Sequence, residues 1–292
     1  MIAHFLAQIL NGLGYGLMIS ILAVGLSLVF GMLKVLNFAH GALYAIGAYL
    51  AFTICGWFSG FIGNFWIAVV FVPVIVGIVG LLLEVILLRP MYARAHHFQL
   101  LITFGLALVI QEVILLIYGH WPLTLAPPRA FTGLVNLGLF DYPQYRLFII
   151  IFGAAVIFAS WYFVERTKFG SIIRAATEDA ETASGLGVNV RLVYTSTFAL
   201  GAALAGLGGV IGGPLVHLKP VMGMDIIMDC FVVVVVGGMG TIPGALLGGI
   251  IIGFAKSITA LFWPTASVVV MFAVMAIILL VKPKGLLGKI WW

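Results

Sequence analysis

The sequence contains little charge and little cysteine. Only 8% of its 292 residues are charged and 64% are hydrophobic, whereas a typical soluble domain carries about 25% charged residues. No soluble packing could hide this much apolar surface, so the composition excludes an ordinary soluble domain. The two cysteines, Cys55 and Cys230, lie far apart in apolar runs. We interpret them as buried thiols, since cysteine in such a setting behaves as a small hydrophobic residue.

Catalytic, metal-binding and nucleotide-binding motifs are also missing. No HxxxH or CxxC spacing indicates zinc. The tail GLLGK has proline at position 283, where a phosphate loop needs glycine, and isoleucine after its lysine. We therefore expect no enzyme activity and no bound cofactor. The net charge of +5 does not indicate nucleic acid, because basic residues also gather in the cytoplasmic loops of membrane proteins.

Long hydrophobic runs are abundant and predict an all-α integral membrane protein, a polytopic helical bundle of about eight or nine transmembrane segments. About 20 apolar residues are needed for one crossing. The predicted spans are 5–30, 38–57, 66–88, 98–119, 146–165, 192–214, 241–262 and 265–281. A shorter run at 226–236 precedes the break GGMGTIPG (237–244). It is either a tilted ninth span or a re-entrant half-helix, so we expect a broken segment near 226–244.

The distribution of basic residues predicts the orientation. With nine crossings and a cytoplasmic C-terminus, ten basic residues fall on the cytoplasmic side and three outside, which matches the positive-inside rule. The N-terminus is then outside. The cytoplasmic residues are Lys34, Arg89, Arg94, Arg166, Lys168, Arg174, Arg191, Lys282, Lys284 and Lys289; the outer ones are Arg129, Arg146 and Lys219.

Polar residues in or near the spans are candidates for function, because an ionisable group in a membrane needs a partner or water. We expect structural pairs between Glu84 and Arg89 and between Lys256 and the acidic residues of 225–229. Gln111 and Glu112 lie deeper in their span and are candidates for a polar pathway. Asn37 and His40, one turn apart at the start of the second span, either cap that helix or line the pathway.

Small residues recur every fourth position in two of the spans. Gly201, Ala205, Gly209 and Gly213 form one stripe, and Gly240, Gly244 and Gly248 form another. Such stripes let helices approach closely. They indicate packing within the chain or, alternatively, a dimer interface.

The largest cytoplasmic segment, at about 166–191, has the composition of a short amphipathic helix from about Ser171 to Ser184. Gly185 suits the left-handed residue that ends a helix. The helix would present Ala176, Ala180 and Ala183, with the acidic Glu178, Asp179 and Glu181, to another protein. A solvated connecting helix is the alternative.

Two stretches resemble a known family. VFGMLKVLNFAHGALYAIGAY (29–49) is similar to the N-terminal signature of the LIV-type permeases, the membrane subunits of ABC importers for branched-chain amino acids and related amides. DAETASGLGVNV (179–190) resembles the cytoplasmic loop of that family and the wider EAA-type coupling motif. Asp179, Ala180, Glu181 and Gly185 reproduce its spacing.

The resemblance implies one permease domain covering 1–292 that forms a translocation pathway in the bacterial inner membrane. It also implies partners: two cytoplasmic ABC ATPase subunits that push on the cytoplasmic segment at about 166–191, which we call the coupling loop, a second and longer permease, and a periplasmic substrate-binding protein. ATP would be hydrolysed on the separate subunits, which agrees with the missing phosphate loop.

Other functions remain possible on the sequence. An ion-coupled secondary transporter or channel would need a buried carboxylate, and Glu112 is the residue that could begin to supply one. An ABC permease for urea or short amides would share most of the same features. A subunit with no substrate path is a further alternative.

Overall fold

The computed structural model describes residues 2–33, 37–58, 64–92, 94–138 and 140–288. Lys34 and Lys289, which entered the orientation argument, lie outside these residues. The described residues form eleven α-helices and one short hairpin. The helices are α1 (Ile2–Leu33), α2 (Ala39–Trp57), α3 (Asn64–Leu83), α4 (His96–Tyr118), α5 (Gln144–Arg166), α6 (Lys168–Glu178), α7 (Ala180–Gly185), α8 (Val190–Gly212), α9 (Met222–Gly237), α10 (Ile242–Phe262) and α11 (Ser267–Val281), and strand β1 (Leu134–Asn136) pairs antiparallel with β2 (Asp141–Pro143).

The predicted helical membrane bundle is confirmed. Within the described ranges, eight helices are long and apolar enough to cross a membrane, and their bounds follow the predicted spans closely. α9 has 16 residues and is about 24 Å long at 1.5 Å per residue, so it is the short ninth segment. The break before α10 lies where it was predicted, with left-handed backbone at Gly238 (φ 104°) and Gly240 (φ 82°).

Close approaches between glycines hold the central helices together. A Cβ atom on Gly16 of α1 would lie 2.5 Å from the carbonyl oxygen of Gly249 in α10, and one on Gly249 would lie 2.6 Å from that of Gly16. Both predicted stripes pack inside the chain: Gly201 packs against α1, and Gly248 packs against α9. The structure therefore uses both small-residue stripes for helix packing within the chain.

α2 and α9 both begin inside the bundle. His40, in the first turn of α2, places its Nε2 atom 3.1 Å from the carbonyl oxygen of Leu22. Leu22 precedes the end of α1 by eleven residues, or about 16 Å of helix. Gly41 packs directly on the backbone of Gly223 in the first turn of α9. The N-terminal ends of the two helices therefore meet at this depth.

The bundle has two ends, which we name by their contents. The coupling-loop end holds α6, α7, the C-terminal ends of α1 and α9, and the tail 282–288. There the backbone N–H groups of Leu286 and Leu287 donate to the carbonyls of Val236 and Gly237, both at 2.9 Å.

The opposite end, the cavity end, holds the β-hairpin, the segment 213–221 and the start of α1. Leu123 and Leu218 pair their backbones there. The hydroxyl of Tyr142 donates to Oδ1 of Asn11 at 3.1 Å. This end therefore brings together loops from distant parts of the sequence around the first helix.

Candidate functional site

Two adjoining cavities open at the cavity end. The larger has a volume of about 890 Å³ and lies among α1, α9, α10, α11 and the segment 216–222. The smaller, of about 440 Å³, lies among α1, α10 and the start of α5. Tyr15, Met18, Val216 and Lys256 line both. These shared residues mark the junction of the two cavities.

A cluster of three polar side chains lies at this junction, and we call it the junction cluster: Tyr15 of α1, Asp229 of α9 and Lys256 of α10. Lys256 forms an ion pair with Asp229 and donates to the Tyr15 hydroxyl at 3.1 Å. Tyr15 donates in turn to the Asp229 carboxylate. The Lys256 ammonium also lies 4.8 Å from the centre of the Tyr15 ring, within cation–π range.

The junction cluster is accessible from the cavities. The Lys256 side chain is 24% exposed and that of Asp229 is 10% exposed. Lys256 lies 14 residues into α10, about 21 Å from its beginning, so it is well inside a membrane-spanning helix. Its charge is compensated by the carboxylate and the phenol, as intramembrane charges require.

The wall of the larger cavity is rich in methionine. Five of the ten methionines of the sequence line this one space. Thioether side chains are flexible and polarisable, and they adapt to apolar ligands of different shape. The five are Met18, Met222, Met224, Met228 and Met271.

The smaller cavity has a polar lining of its own. Asn11 accepts hydrogen bonds from Tyr142 and Arg146, and Ser257 donates to the side chain of Gln8 at 2.8 Å. Burial raises the pKa of Tyr142, which keeps its phenol neutral and able to donate. This polar rim links the ends of α1, α5 and α10.

Asn37 and His40 are brought together at the start of α2. The Asn37 side-chain oxygen accepts from the backbone N–H of Ala39 at 3.0 Å, a turn bond just before the helix, whose N-cap residue Phe38 has no side-chain cap. Both side chains are buried. Nδ2 of Asn37 and Nδ1 of His40 find no hydrogen-bond partner among the described residues.

Gln111 and Glu112 lie apart from the other predicted pathway residues. Gln111 lines a crevice of about 10 Å³ beside Ala42 and Gly223, which is at the lower limit for one water molecule. Glu112 is exposed on the outer face of α4. Neither residue lines the two cavities at the cavity end.

The predicted coupling loop folds as two helices rather than one. α6 ends at Glu178, and Asp179 caps α7, accepting from the backbone N–H groups of Glu181 and Thr182 at 3.0 Å each. The capping hydrogen bonds, led by that from the Thr182 hydroxyl, lower the pKa of Asp179. Glu178, Asp179, Glu181 and Gly185 are exposed, and Ala180 is half-buried.

Two details predicted for this loop are wrong. The left-handed residue is Gly187 (φ 86°), two positions beyond Gly185. The Val188 N–H reaches the Ala183 carbonyl at 3.1 Å, the Schellman arrangement, which needs its glycine at position 187. Ala176 and Ala183 are not presented outward, because they pack with Met32 of α1.

The expected structural pairs are confirmed for Glu84 and for Asp229, whereas Asp225 forms no ion pair among the described residues. Glu84 and Arg89 form an ion pair at 3.0 Å, and Lys256 pairs with Asp229. The sequence did not indicate Tyr15. Nothing marks one tyrosine within an apolar helix, and its partner Asp229 lies 214 residues away. The concentration of methionine around 218–230 was the available signal for the cavity wall.

Comparisons with known proteins agree over nearly the whole chain. Residues 8–279 match the family described as branched-chain amino acid transport system / permease component. The chain is 32% identical to the high-affinity branched-chain amino acid transport system permease protein LivH of Escherichia coli (strain K12), over 98% of this chain and 96% of the relative. It is 30% identical to the permease protein BraD of Pseudomonas aeruginosa, over 99% and 97%. It is 28% identical to a probable LivH of Methanocaldococcus jannaschii, over 95% and 90%. No solved structure matches.

Proposed function

Because this chain belongs to the family of branched-chain amino acid transport permeases, we propose that it is the membrane subunit of an ATP-driven importer of branched-chain or related amino acids. The observation that carries the proposal is the methionine-walled cavity, which reaches an ion-paired cluster inside the bundle. The chain would form the translocation pathway together with a second permease subunit.

The proposed complex contains three further kinds of partner. Two cytoplasmic ABC ATPases would hydrolyse ATP, so this chain itself is not an enzyme. A periplasmic binding protein would deliver the amino acid. The complex would lie in the bacterial inner membrane, with the N-terminus of this chain outside and its C-terminus in the cytoplasm.

The charge distribution supports this orientation. Eight of the ten basic residues predicted to be cytoplasmic are described, and they lie in or beside the segments that end at the coupling-loop end. The positive-inside rule places such an end in the cytoplasm. The two cavities would then open to the periplasm, where a binding protein could release its ligand.

The exposed residues of α6 and α7 are proposed to dock an ATPase. Glu178, Asp179 and Glu181 give this surface three carboxylates beside Ala180. A Cβ atom added at Gly185 would meet no atom of the described residues within 4 Å, so a partner can approach the backbone there. The inner face of the same loop packs on Met32 at the end of α1. Force on the loop would therefore reach a membrane-spanning helix directly.

Asn37 and His40 are proposed to border the inner part of the pathway. They lie where the first turns of α2 and α9 meet, and each keeps one buried polar nitrogen without a partner among the described residues. A pathway that opens at this junction would satisfy those groups with water or substrate. Gln111 and Glu112 stay predicted pathway residues, and their positions give that role no further support.

Reconstitution tests the proposal. The chain would be purified with its ATPases and second permease, placed in liposomes, and supplied with binding protein and labelled leucine. We expect leucine uptake that requires internal ATP and all partners. Uptake driven by an ion gradient without the ATPases would instead favour a secondary transporter, and uptake of urea or short amides in place of leucine would reassign the substrate.

The coupling surface is tested in the same liposomes. Gly185→Trp fills the open space at the proposed ATPase contact and should separate ATP hydrolysis from uptake. Gly56→Trp is the matched control, because no atom of the described residues lies within 4 Å of the Gly56 Cβ position either, but Gly56 lies near the end of α2, at the cavity end. Normal coupling in Gly185→Trp would refute the assignment of this surface.

A further inference from the structure

The junction cluster combines a cation, an anion and a phenol at the place where two cavities meet. We propose that it is a binding site within the permease for the charged head of a zwitterionic amino acid, whose apolar side chain lies on the methionine wall. The inference rests on the proposed function, since it assigns the ligand contacts of the same pathway.

The chemistry of the cluster matches that of an α-amino acid. An α-amino acid carries its carboxylate and its ammonium on one carbon atom. Lys256 can pair with the first and Asp229 with the second, so the resident ion pair is exchanged for two new ones. Tyr15 already donates to Asp229 and accepts from Lys256, so its hydroxyl can stay bonded to one of them while the ligand enters.

A ligand with a single charge would fit poorly. A carboxylic acid without the amine would pair with Lys256 and leave Asp229 without its cation. An amine without the carboxylate would leave Lys256 without its anion. An unpaired charge in a poorly solvated site is costly, and sites that read polar groups reject analogues that lack them. The cluster therefore selects for zwitterions.

The cavity wall accounts for the other half of the ligand. Met18 lines both cavities and lies one helical turn from Tyr15 on α1. Met222, Met228 and Met271 line the larger cavity. Such a wall accepts leucine, isoleucine and valine without a precise fit. The site would be selective for the zwitterionic head group and tolerant of different apolar side chains.

A purely structural role is the competing explanation, in which the ion pair only fastens α1, α9 and α10 together. Against it, Lys256 is a quarter exposed and lines both cavities, whereas a fastening pair has no need of access to open space. The two roles differ in one measurable way, because only a binding site responds to ligand.

The test uses the assembled complex in nanodiscs without binding protein. Val268→Cys places a thiol in the wall of the larger cavity at a residue that is 53% exposed, in a background where Cys55 is replaced by serine. We would measure the alkylation rate of this thiol by a water-soluble methanethiosulfonate. Leucine should slow the rate at least threefold. Isocaproate, which lacks the ammonium, and isoamylamine, which lacks the carboxylate, should not slow it at the same concentration.

Variants complete the design. Lys256→Met should abolish the protection by leucine, and Lys256→Arg should keep it. Lys219→Met, which removes an exposed cation from the lining of the same cavity, should leave it intact. Lys256→Met alone leaves the Asp229 charge unpaired and could impair folding. The double variant Lys256→Met/Asp229→Asn removes both charges, so a loss of protection in it reports lost recognition of the ligand; we expect that loss.

The inference is overturned if leucine gives no protection, if the three ligands protect equally, or if protection survives in the double variant. ATP-driven leucine uptake by the unmodified complex distinguishes failure of the binding site from failure of the proposed function. If uptake is present and protection is absent, only the binding site is refuted. If uptake of leucine is itself absent, the proposed function fails first.

Discussion

The contact between Gly16 and Gly249 supports a quantitative prediction, which is that Gly16→Ala destabilises the protein. The added Cβ atom would lie 2.5 Å from the carbonyl oxygen of Gly249 and 3.1 Å from its carbonyl carbon. Ordinary van der Waals contact for a Cβ atom begins at 3.4 Å, so α1 and α10 would have to separate by roughly 1 Å.

That separation affects the whole interface. A gap of 0.5–1 Å forfeits about a quarter to a half of the dispersion energy of each atom pair, and overpacking typically costs about 1–3 kcal/mol. Tyr15 and Lys256 extend from these same two helices, so the junction cluster would loosen as well. We therefore expect a loss of about 1–3 kcal/mol in the free energy of unfolding, together with slower uptake.

The assay can use Cys230, which is fully buried. In a background that lacks Cys55, a thiol-reactive dye labels Cys230 as the bundle opens, and titration with SDS in mixed micelles gives the free energy of unfolding. Gly105→Ala on α4 is the control. Among the described residues no atom lies within 4 Å of its Cβ position, so it should gain up to about 1 kcal/mol of helix propensity. Equal stabilities for the two variants would refute the packing argument.

Three further predictions concern the coupling-loop end. Glu84→Ala removes the acceptor of Arg89 and of Thr195 (3.0 and 2.8 Å), and we expect a loss of about 3 kcal/mol in the same dye assay. Glu84→Gln keeps a carbonyl acceptor but no charge, so it should lose less than Glu84→Ala; a stability equal to that of the unmodified protein would show that the charge is not needed. Gly187→Val forces a β-branched residue into left-handed backbone (φ 86°), at a cost of about 1–2 kcal/mol. We expect faster proteolysis of the loop in this variant, whereas Gly187→Asn should leave the proteolysis rate nearly unchanged. Because the pKa of Asp179 is lowered, its cap is intact above the ordinary aspartate range and is lost as the pH falls through the lowered pKa. Relative to the intrinsic exchange rate at each pH, the two capped N–H groups of α7 should therefore lose protection only in acid, and loss of protection near neutral pH would contradict the assigned cap.

The membrane spans could be predicted because length and hydropathy alone determine them. The break at 237–244 was visible for a similar reason, since a glycine cluster can adopt backbone that other residues avoid. A pairing of Lys256 with an acidic residue of 225–229 also followed from the sequence, because an isolated charge in an apolar helix needs a partner in a neighbouring one; the structure selects Asp229. These predictions rest on energies that depend on the residue type and its neighbours in sequence, and not on the tertiary contacts of the fold.

Other features depend on contacts that no local pattern contains. Gly185 and Gly187 are equally suited to end a helix, and the structure uses Gly187, whose left-handed backbone lets the Val188 N–H donate to the Ala183 carbonyl. Ala176 and Ala183 face inward because Met32 of α1 covers them. Tyr15 joins its cluster only after α1, α9 and α10 are packed. Each outcome depends on tertiary structure, and the sequence offered two or more local alternatives.

The path of α1 suggests how the two ends of the bundle communicate. It is one uninterrupted helix from Ile2 to Leu33. Tyr15 lies in the junction cluster, and Met32, 17 residues later and about 25 Å along the axis, packs against Ile173 and Ala176 of the coupling loop. A displacement of α6 would reach Tyr15 through a continuous hydrogen-bonded rod, and it would change the geometry of the ion pair between Asp229 and Lys256. We therefore expect ATP binding by the partner ATPases to alter alkylation of Val268→Cys, and we expect Met32→Ala, which weakens the contact with α6, to reduce that response.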